Sequence, residues 1–450
     1  MTGAVLVFTR DLRVTDHPAL AAAAAGGGRV VPLFVFDDAL LAGCADHANR
    51  LGFLLESLSD LDRSLRDRGG ALVVRRGRWA ETVVSVAKEA RAGAIHLSAD
   101  VSGFAARRRR ALAAAAAGAG IGVHEHPGLF VVEPGAVHPP GGVYYQVFTP
   151  YYRRWQHAPR RARAATPWQV TLPGRVRHGT LPNLTELTSA QRSPQVGLAG
   201  GETAGRAALR AWAAENLAGY DETRDVLAGQ TSQLSPYLHL GCLSPAAVAA
   251  HLSGQPGGAA YVRQLAWRDF FHQVLAARPE SAAADYRSRG DRWHTDAGAL
   301  AAWQAGQTGF PVVDAAMRQL TAEGFMHNRA RMIVASFLTK DLYLDWRAGA
   351  AHFRRHLLDG DVACNQLNWQ WVAGTGTDTS PHRVFSPVRQ GQRFDPDGAY
   401  VRRWVPELAG LPAHEIHDPG AAARRACGYP PPLVDHAEAV AAYRQRLRYA

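Results

Sequence analysis

Hydrophobic periodicity changes once along this chain, and the change limits the folds open to it. Short apolar runs at residues 4–8, 30–36, 71–74 and 94–97 alternate with alanine-rich helical stretches. Buried strands that alternate with helices are typical of a parallel α/β sheet. From about residue 203 onward the apolar residues recur at helical spacing instead. The sequence therefore predicts an α/β part followed by an all-α part.

Between these two patterns lies a stretch rich in Pro, Gly, Ser and Thr. Such composition without a clear period indicates a connection that crosses the surface with little regular structure. A chain of 450 residues is also too long for one ordinary core. We therefore predict a Rossmann-like α/β domain at residues 1–130, a long inter-domain linker at 131–202 and an all-helical domain at 203–450.

The net charge of the chain is +11 at pH 7. A strongly basic protein attracts polyanions, nucleic acid first and anionic membrane second. A general arginine bias in the source proteome would explain the same charge, so the charge alone leaves both explanations open.

The cysteines and the N-terminus bear on the cellular compartment. Cys44, Cys242, Cys364 and Cys427 lie far apart without a CxxC pair, so we expect neither a zinc site nor a disulfide framework. The first apolar run is too short for a signal peptide, and no run of eighteen apolar residues could span a membrane. We expect a cytoplasmic protein.

The segment Leu358–Trp371, LDGDVACNQLNWQW, combines carboxylates, an amide and indoles. Asp359 and Asp361 form a DxD pair, which can hold a divalent metal in nucleotide-sugar enzymes. No third carboxylate lies nearby in sequence, so we expect no metal here. The two carboxylates could instead accept hydrogen bonds from a ribose or a flavin ring edge, and Asn365 could tune a flavin.

Gln264, Trp267, Arg268 and Phe271 follow helical spacing and share one face. An amide, an indole and a guanidinium on one face could stack on a base and bind a phosphate. An arginine stacked on a tryptophan at a domain surface would fit the same pattern.

Two further clusters carry polar groups at predicted helix starts. Thr231, Ser232 and Ser235 could cradle a diphosphate together with backbone N–H groups, although such residues are more often plain caps. Asn328 and Met332 share a face, with Arg329 beside them, and could line a cavity for a flat ligand. Met332 alone is more often a core residue.

The histidines do not form a metal-binding pattern in the sequence. His124 and His126 flank a lone Glu125, while His352 and His356 lack the HExxH pattern. We expect ordinary surface or core histidines and no metal site.

Taken together, these segments resemble the cryptochrome/photolyase family, and within it the class I cyclobutane pyrimidine dimer photolyases. The resemblance begins at FTRDLRVTDHPAL (8–20), continues through YYQVFTPYYRRW (144–155) and is densest at 220–408. The motifs occur in family order: TSQLSPYL, AWRDFF, TGFPVVDAAMRQL, GFMHNRARM, SFLTKDLYLDWR, LDGDVACNQLNWQW and FSPVRQGQRFDPDGAYVRRWVPEL.

The resemblance implies FAD within the helical domain. The residues it implies for the phosphates and ribityl chain are Tyr220, Thr231, Ser232, Gln233, Leu234 and Ser235. Those implied for the ring side are Asp359, Gly360 and Asp361, with Asn365 near flavin N5. The family's electron chain corresponds to Trp369 nearest the flavin, then Trp346, then Trp293 nearest solvent.

The implied partner is ultraviolet-damaged DNA, with the pyrimidine dimer flipped out of the duplex and split by an electron from excited, reduced flavin. The basic surface would add phosphate contacts. The implied DNA contacts are Arg224, Gln264, Trp267, Arg268, Asn328, Arg329, Met332, Trp371, Arg383 and Gln390.

One position departs from the pattern of dimer photolyases. These enzymes usually carry Glu at the place of Gln264, so we expect less efficient repair. Gln there also resembles (6-4) photolyases and animal cryptochromes. Those proteins carry His where this chain has Asn328 and Met332, and this pair favours dimer repair.

Two rival functions follow from the same residues: a cryptochrome-type photoreceptor and a metal-dependent DxD transferase. The chain ends soon after the last family motif, without a long signalling tail, which favours the repair enzyme. The N-terminal domain resembles the family's antenna domain, which could hold 8-hydroxy-5-deazaflavin, methenyltetrahydrofolate or no chromophore at all. Monomers are the family default.

Overall fold

The structure is a computed structural model that describes residues 3–25, 27, 29–44 and 46–447. Contacts group the chain into two compact units. The first comprises Met1–Arg192, Leu198–Ala218 and Ser232–Pro279; the second comprises Ser193–Gly197, Gly219–Thr231 and Glu280–Ala450. These units divide the chain by packing alone. The domain limits at residues 130 and 202 remain a prediction.

The first unit contains a five-stranded parallel sheet with strand order β3-β2-β1-β4-β5. This order confirms the predicted Rossmann-like sheet. Its strands are β1 (Gly3–Phe8), β2 (Val30–Asp37), β3 (Val73–Gly77), β4 (Ala92–Ser98) and β5 (Gly122–His126). The edge strand β5 was not predicted, because its sequence GVHEH is polar and mostly exposed.

The helices follow one another in chain order through both units. They are α1 (Pro18–Ala24), α2 (Asp38–Leu41), α3 (Ala48–Arg66), α4 (Trp79–Ala90), α5 (Gly103–Ala117), α6 (Phe148–Trp155), α7 (Leu184–Leu187), α8 (Glu202–Asn216), α9 (Tyr220–Thr223), α10 (Ser235–His239), α11 (Pro245–Leu252), α12 (Gly258–Ala277), α13 (Ala297–Ala305), α14 (Pro311–Glu323), α15 (Asn328–Ser336), α16 (Trp346–His356), α17 (Val362–Ala373), α18 (Pro387–Phe394), α19 (Ala399–Trp404), α20 (Ala421–Cys427) and α21 (His436–Arg446). Short 3₁₀ turns span Pro279–Ala282 and Pro406–Leu408, and a π turn spans Phe337–Asp341.

The core of the sheet explains why its strands read as continuous apolar runs. Every residue of β2 is buried. One sheet face packs on α4 and α5 through residues such as Val83 and Leu112. Parallel strands covered by helices have little need for polar side chains, so they lack the alternation of half-exposed strands.

The predicted linker is only partly an irregular surface segment. It contains α6 and α7, and Trp155 at the end of α6 is fully buried. Asp269 on α12 accepts hydrogen bonds from the backbone N–H groups of Val131 (3.1 Å) and Val132 (3.0 Å) and from Trp155 Nε1 (3.0 Å). The first third of the predicted linker is therefore hydrogen-bonded to the buried carboxylate of Asp269.

The second unit is helical, as predicted. Its core contains Trp303, Trp346, Phe353 and Trp369. Among the described residues, no helix has both the length and the apolar character needed to cross a membrane. All four cysteines are free thiols.

Candidate active site

A tight turn precedes α17 in the second unit. The backbone N–H of Asp361 donates to the carbonyl of Asp359 at 2.6 Å, and the Asp361 carboxylate caps the helix by accepting from Cys364 N at 2.9 Å. Asp359 forms an ion pair with Arg331 on α15, at 2.9 Å. Both predicted carboxylates are therefore held in place from outside the turn. Arg331 was not identified from the sequence. The only signal for it was that a buried carboxylate such as Asp359 needs a positively charged partner.

The amide of Asn365 has a fixed orientation on α17. Its Nδ2 donates to the carbonyl of Ala350 on α16 at 3.0 Å and to Gln366 Oε1 at 2.8 Å. Both amide hydrogens are then engaged, while Oδ1 makes no hydrogen bond within the described part of the chain. The atom that Asn365 can offer to a ligand is a hydrogen-bond acceptor.

The three predicted electron-chain tryptophans all lie in the second unit and differ in exposure. Trp369 on α17 and Trp346 at the start of α16 are buried, whereas Trp293 is half-buried and lies 5.0 Å from the ring of Tyr343. The indole nitrogen of Trp369 is buried, with no hydrogen-bond partner among the described residues. Burial distinguishes Trp293, the most exposed of the three, from Trp346 and Trp369, but it does not order these two.

A glycine sets the contact between α16 and α17. A β-carbon at Gly349 would overlap the ring of Trp369 and also approach Leu338 Cδ2, at 2.6 Å. The Trp369 ring therefore packs directly on the backbone of α16, the helix that carries Trp346.

Two residues that contact the predicted electron-chain tryptophans, Asp285 and Trp303, were not identified from the sequence. Asp285 accepts a hydrogen bond from Trp346 Nε1 at 2.8 Å and from Arg347 at 2.9 Å. A carboxylate next to an indole favours positive charge on that ring. Trp303 packs edge-on against Trp369 at 6.0 Å between ring centroids. No local sequence pattern connects either residue with the segment 358–371.

The residues predicted for the phosphates and ribityl chain are divided between the units. Tyr220 and Thr231 belong to the second unit and are half-buried, and burial raises the pKa of Tyr220 to about 12. Ser232, Gln233, Leu234 and Ser235 belong to the first unit. Ser232 Oγ lies 3.0 Å from the hydroxyl of Tyr261, and α10 begins at Ser235, as predicted.

The predicted polar face of α12 is present, but its arginine has a different contact. Gln264, Trp267 and Arg268 are half-buried, and Phe271 is buried. Arg268 Nη1 donates to the carbonyl of Leu129 at 2.7 Å. The guanidinium also lies 5.6 Å from the ring centroid of Phe130. Its first role in this unit is to hold the backbone near residue 129.

Trp267 is supported from one side by a parallel aromatic ring. The ring of Phe148 on α6 lies at 3.6 Å between centroids and 7° between planes. Phe148 in turn stacks on Tyr152 at 5.5 Å, with Arg263 over both rings. A ring held this way is a rigid platform for stacking.

The helix α15 begins at Asn328, directly after the capping residue His327. Asn328 is exposed, Met332 is half-buried, and they lie one turn apart on the helix, as predicted. Arg329 pairs with Asp225 through two hydrogen bonds, at 3.3 and 2.8 Å. Burial lowers the pKa of His327 to about 4, so this cap stays neutral.

The remaining predicted DNA contacts lie in the second unit. Exposed Arg383 lies over the ring of Trp371 at 5.7 Å. Its loop is held by Lys340, a buried residue whose Nζ donates to the carbonyls of Pro381 and Arg383. Gln390 on α18 has a buried Oε1 without a partner in the described chain. Arg224 ends α9 and lies 3.5 Å from Asp221.

The polar atoms on and before α17 in the second unit fit the hydrogen-bonding groups of a flavin. Asn365 Oδ1 and Trp369 Nε1 are polar atoms left without partners among the described residues, and two ordered carboxylates precede them. A flavin ring system carries N–H and carbonyl groups that complement such atoms.

Comparison with known proteins gives a consistent family. Residues 261–449 match the family description "FAD binding domain of DNA photolyase", and residues 4–170 match "DNA photolyase". A Streptomyces griseus protein named "Deoxyribodipyrimidine photo-lyase" is 51% identical over 98% of both chains.

Two solved structures share the fold. A bacterial class III photolyase from Agrobacterium tumefaciens has a TM-score of 0.92 and 34% identity, covering 100% of this chain and 98% of its own. An archaeal photolyase from Sulfolobus tokodaii, solved with two FAD molecules, has a TM-score of 0.89 and 29% identity over 100% of both chains. With full-length identity of this size, the chain belongs to the cryptochrome/photolyase family.

Proposed function

We propose that this protein is a light-dependent DNA lyase that splits cyclobutane pyrimidine dimers, a deoxyribodipyrimidine photo-lyase of class I with FAD as its cofactor. The observation that carries the proposal is the 51% identity, over 98% of both chains, to a protein of that name. The unpartnered polar atoms on α17 support it independently of any relative.

The chain's own residues would hold the cofactor in two parts. Tyr220, Thr231 and the stretch Ser232–Ser235 would bind the phosphates and ribityl chain. Asp359, Gly360 and Asp361 would lie at the ring. Asn365 would accept a hydrogen bond from a ring N–H, because only its Oδ1 remains available. When bound, FAD supplies light-driven transfer of one electron to the lesion and its return.

The electron chain would supply reducing electrons from solvent to the flavin site. Trp293 is the half-exposed member, and Trp346 and Trp369 are buried. Asp285 would favour positive charge on Trp346 through the hydrogen bond at 2.8 Å. These roles rest on the resemblance to the family, on the greater exposure of Trp293 and on the hydrogen bond of Trp346 to Asp285.

Several of the predicted residues would bind the lesion and its flanking phosphates. Trp267, backed by Phe148, would provide a stacking surface, and Arg383 and Arg329 would bind phosphates. The Asn328/Met332 pair supports the dimer as substrate. Gln264 keeps a hydrogen-bond donor but lacks the charge of Glu, so we expect repair of reduced efficiency.

The test is repair of ultraviolet-damaged, thymine-containing DNA by pre-reduced protein under blue light, beside a dark control. Light-dependent loss of the dimer is the expected result. Survival of the dimer, with flavin bound and reduced, would contradict the proposal. Repair of the (6-4) lesion would then identify that enzyme, and loss of neither lesion would favour a cryptochrome-type photoreceptor.

The finer cellular details belong to the same proposal. We expect an antenna chromophore in the first unit, 8-hydroxy-5-deazaflavin ahead of methenyltetrahydrofolate. The Sulfolobus structure with two FAD molecules adds a second flavin to the candidates. Chromatography of the chromophores released from protein of the native host separates the three.

We also expect a monomer in the cytoplasm, and the four free thiols are consistent with a reducing compartment.

A further inference from the structure

Three histidines meet at the edge of the parallel sheet in the first unit. His96 on β4 is paired in register with His124 on the edge strand β5, and Ser98 is paired with His126. Ile95 and Leu97 on β4 and Val123 on β5 belong to the core under α4 and α5. Because side chains alternate along a strand, the three histidines project from the opposite face.

The separations of His96 from the other two imidazoles are those of ligands around one metal ion, although the nitrogen of His124 is turned away from the other two. His96 Nδ1 and His126 Nε2 lie 2.9 Å apart, and the ring centroid of His96 is 5.1 Å from each of the other two. A tetrahedral ion with Zn–N bonds of about 2.0–2.1 Å holds the centroids of its imidazole ligands about 5 Å apart. Replacing the hydrogen bond by an ion requires only a small separation of the two nitrogens.

The third ring, His124, is exposed and has room to turn. Its Nε2 lies 3.0 Å from the position that a β-carbon would take at Gly122, so the ring rests above a residue without a side chain. A rotation of this side chain is needed to direct a nitrogen toward the His96–His126 pair. The neighbouring Glu125 points to the other face and pairs with Arg109 at 3.0 Å.

We propose that His96, His124 and His126 form a binding site for a divalent transition metal ion, Zn²⁺ above all, with water as the fourth ligand. Imidazole ligands suit Zn²⁺, Cu²⁺ and Ni²⁺ and disfavour Mg²⁺ and Ca²⁺. The site is separate from the residues proposed for FAD and the lesion. Its ion would tie the edge strand β5 to β4. Local sequence did not reveal it, because His96 is 30 residues from His126.

The experiment is calorimetric titration of Zn²⁺ into tag-free, FAD-loaded, full-length protein after chelator treatment. We expect one equivalent of Zn²⁺ to bind to the wild type with an increase of the thermal midpoint. His126→Ala and His124→Ala should each weaken this binding at least about tenfold. His251→Ala, which removes an exposed histidine on α11, is the matched control and should bind as the wild type does.

Two results would overturn the proposal: wild type that takes up no more Zn²⁺ than His126→Ala, or equal loss of binding in His251→Ala. If His126→Ala fails to retain FAD, the exposed His124→Ala replaces it. Co²⁺ then reports the geometry, because tetrahedral Co²⁺ absorbs strongly in the visible difference spectrum. Strong bands that disappear in His124→Ala support the site, and weak octahedral bands contradict it.

Discussion

Helices α12 and α17 both carry several polar side chains along their length. The two helices differ in whether these side chains have hydrogen-bond partners within the protein. On α12, Asp269, Gln273 and Arg268 all bind the segment 129–155: Gln273 exchanges two hydrogen bonds with the backbone of Tyr145, at 3.1 and 2.7 Å. On α17, Asn365 Oδ1 and Trp369 Nε1 remain without partners in the described chain.

The difference separates polar residues that stabilise the fold from those available to a ligand. A buried polar group costs free energy unless it is hydrogen-bonded. On α12 the protein itself meets most of that cost, and Asp269 Oδ1 is the buried oxygen left without a hydrogen bond among the described residues. On α17 it is left for a bound molecule to meet, which is the behaviour expected of a binding site.

The largest effect is expected for Asp269→Ala on α12. The substitution leaves three buried donors without their acceptor, so the free energy of unfolding should fall by about 3–5 kcal/mol. Urea denaturation measures the loss. The exposed Asp221→Ala should stay within about 0.5 kcal/mol of the wild type. Equal midpoints for Asp269→Ala and the wild type would show that α12 does not hold the segment 129–155.

On α17, Trp369→Phe should slow photoreduction of the oxidised flavin at least about tenfold, a loss of about 1.4 kcal/mol. Repair by pre-reduced protein should be retained, because electron transfer from the reduced flavin to the lesion does not pass through this ring. Absorbance under blue light and a repair assay measure the two. Trp168→Phe, at an exposed tryptophan, is the control. Equal loss of both activities would contradict the electron-chain role.

Two of the four predicted DNA-binding arginines, Arg329 and Arg268, should differ in the same sense as the helices. Arg329 pairs with the part-exposed Asp225, a partner it can exchange for a phosphate. Arg329→Ala should weaken binding of damaged DNA by about 1–3 kcal/mol and reduce the salt slope by about one. Arg268→Ala should lower thermal stability while affinity changes less. Titrations at several salt concentrations measure both, and the reverse ranking would refute the distinction.

The smallest effect concerns Glu133, in the segment bound by α12. Burial raises the pKa of Glu133 to about 7, with a smaller contribution from Asp269. The folded protein therefore keeps a proton that the unfolded chain releases above about pH 4.5. The stability from this group is complete below that pH and is lost as the pH rises through about 7.

Glu133→Gln removes this dependence. At pH 8 it should be more stable than the wild type, and the advantage should vanish at pH 4.5 and below. Denaturation midpoints across this range check the prediction. A constant difference at every pH would mean that Glu133 does not change its protonation on unfolding.

Sequence periodicity was sufficient for most of the fold and insufficient for most side-chain partners. The four buried strands and the helical second unit were predicted because burial leaves a repeating trace in the sequence. The polar edge strand β5 carries no such trace. Arg268 finds its partner Leu129 at a separation of 139 residues, and Trp346 finds Asp285 at 61. Helical spacing identified the faces of these residues but carries no information on distant contacts.

The missing side chain at Gly349 has a consequence for charge movement. With no β-carbon between them, the indole of Trp369 touches the backbone that carries Trp346. Any larger residue there would wedge the two helices apart and lengthen every hop across the gap. In the proposed electron chain, the hydrogen atom of Gly349 would therefore act as the spacer that fixes how closely the Trp369 ring approaches α16.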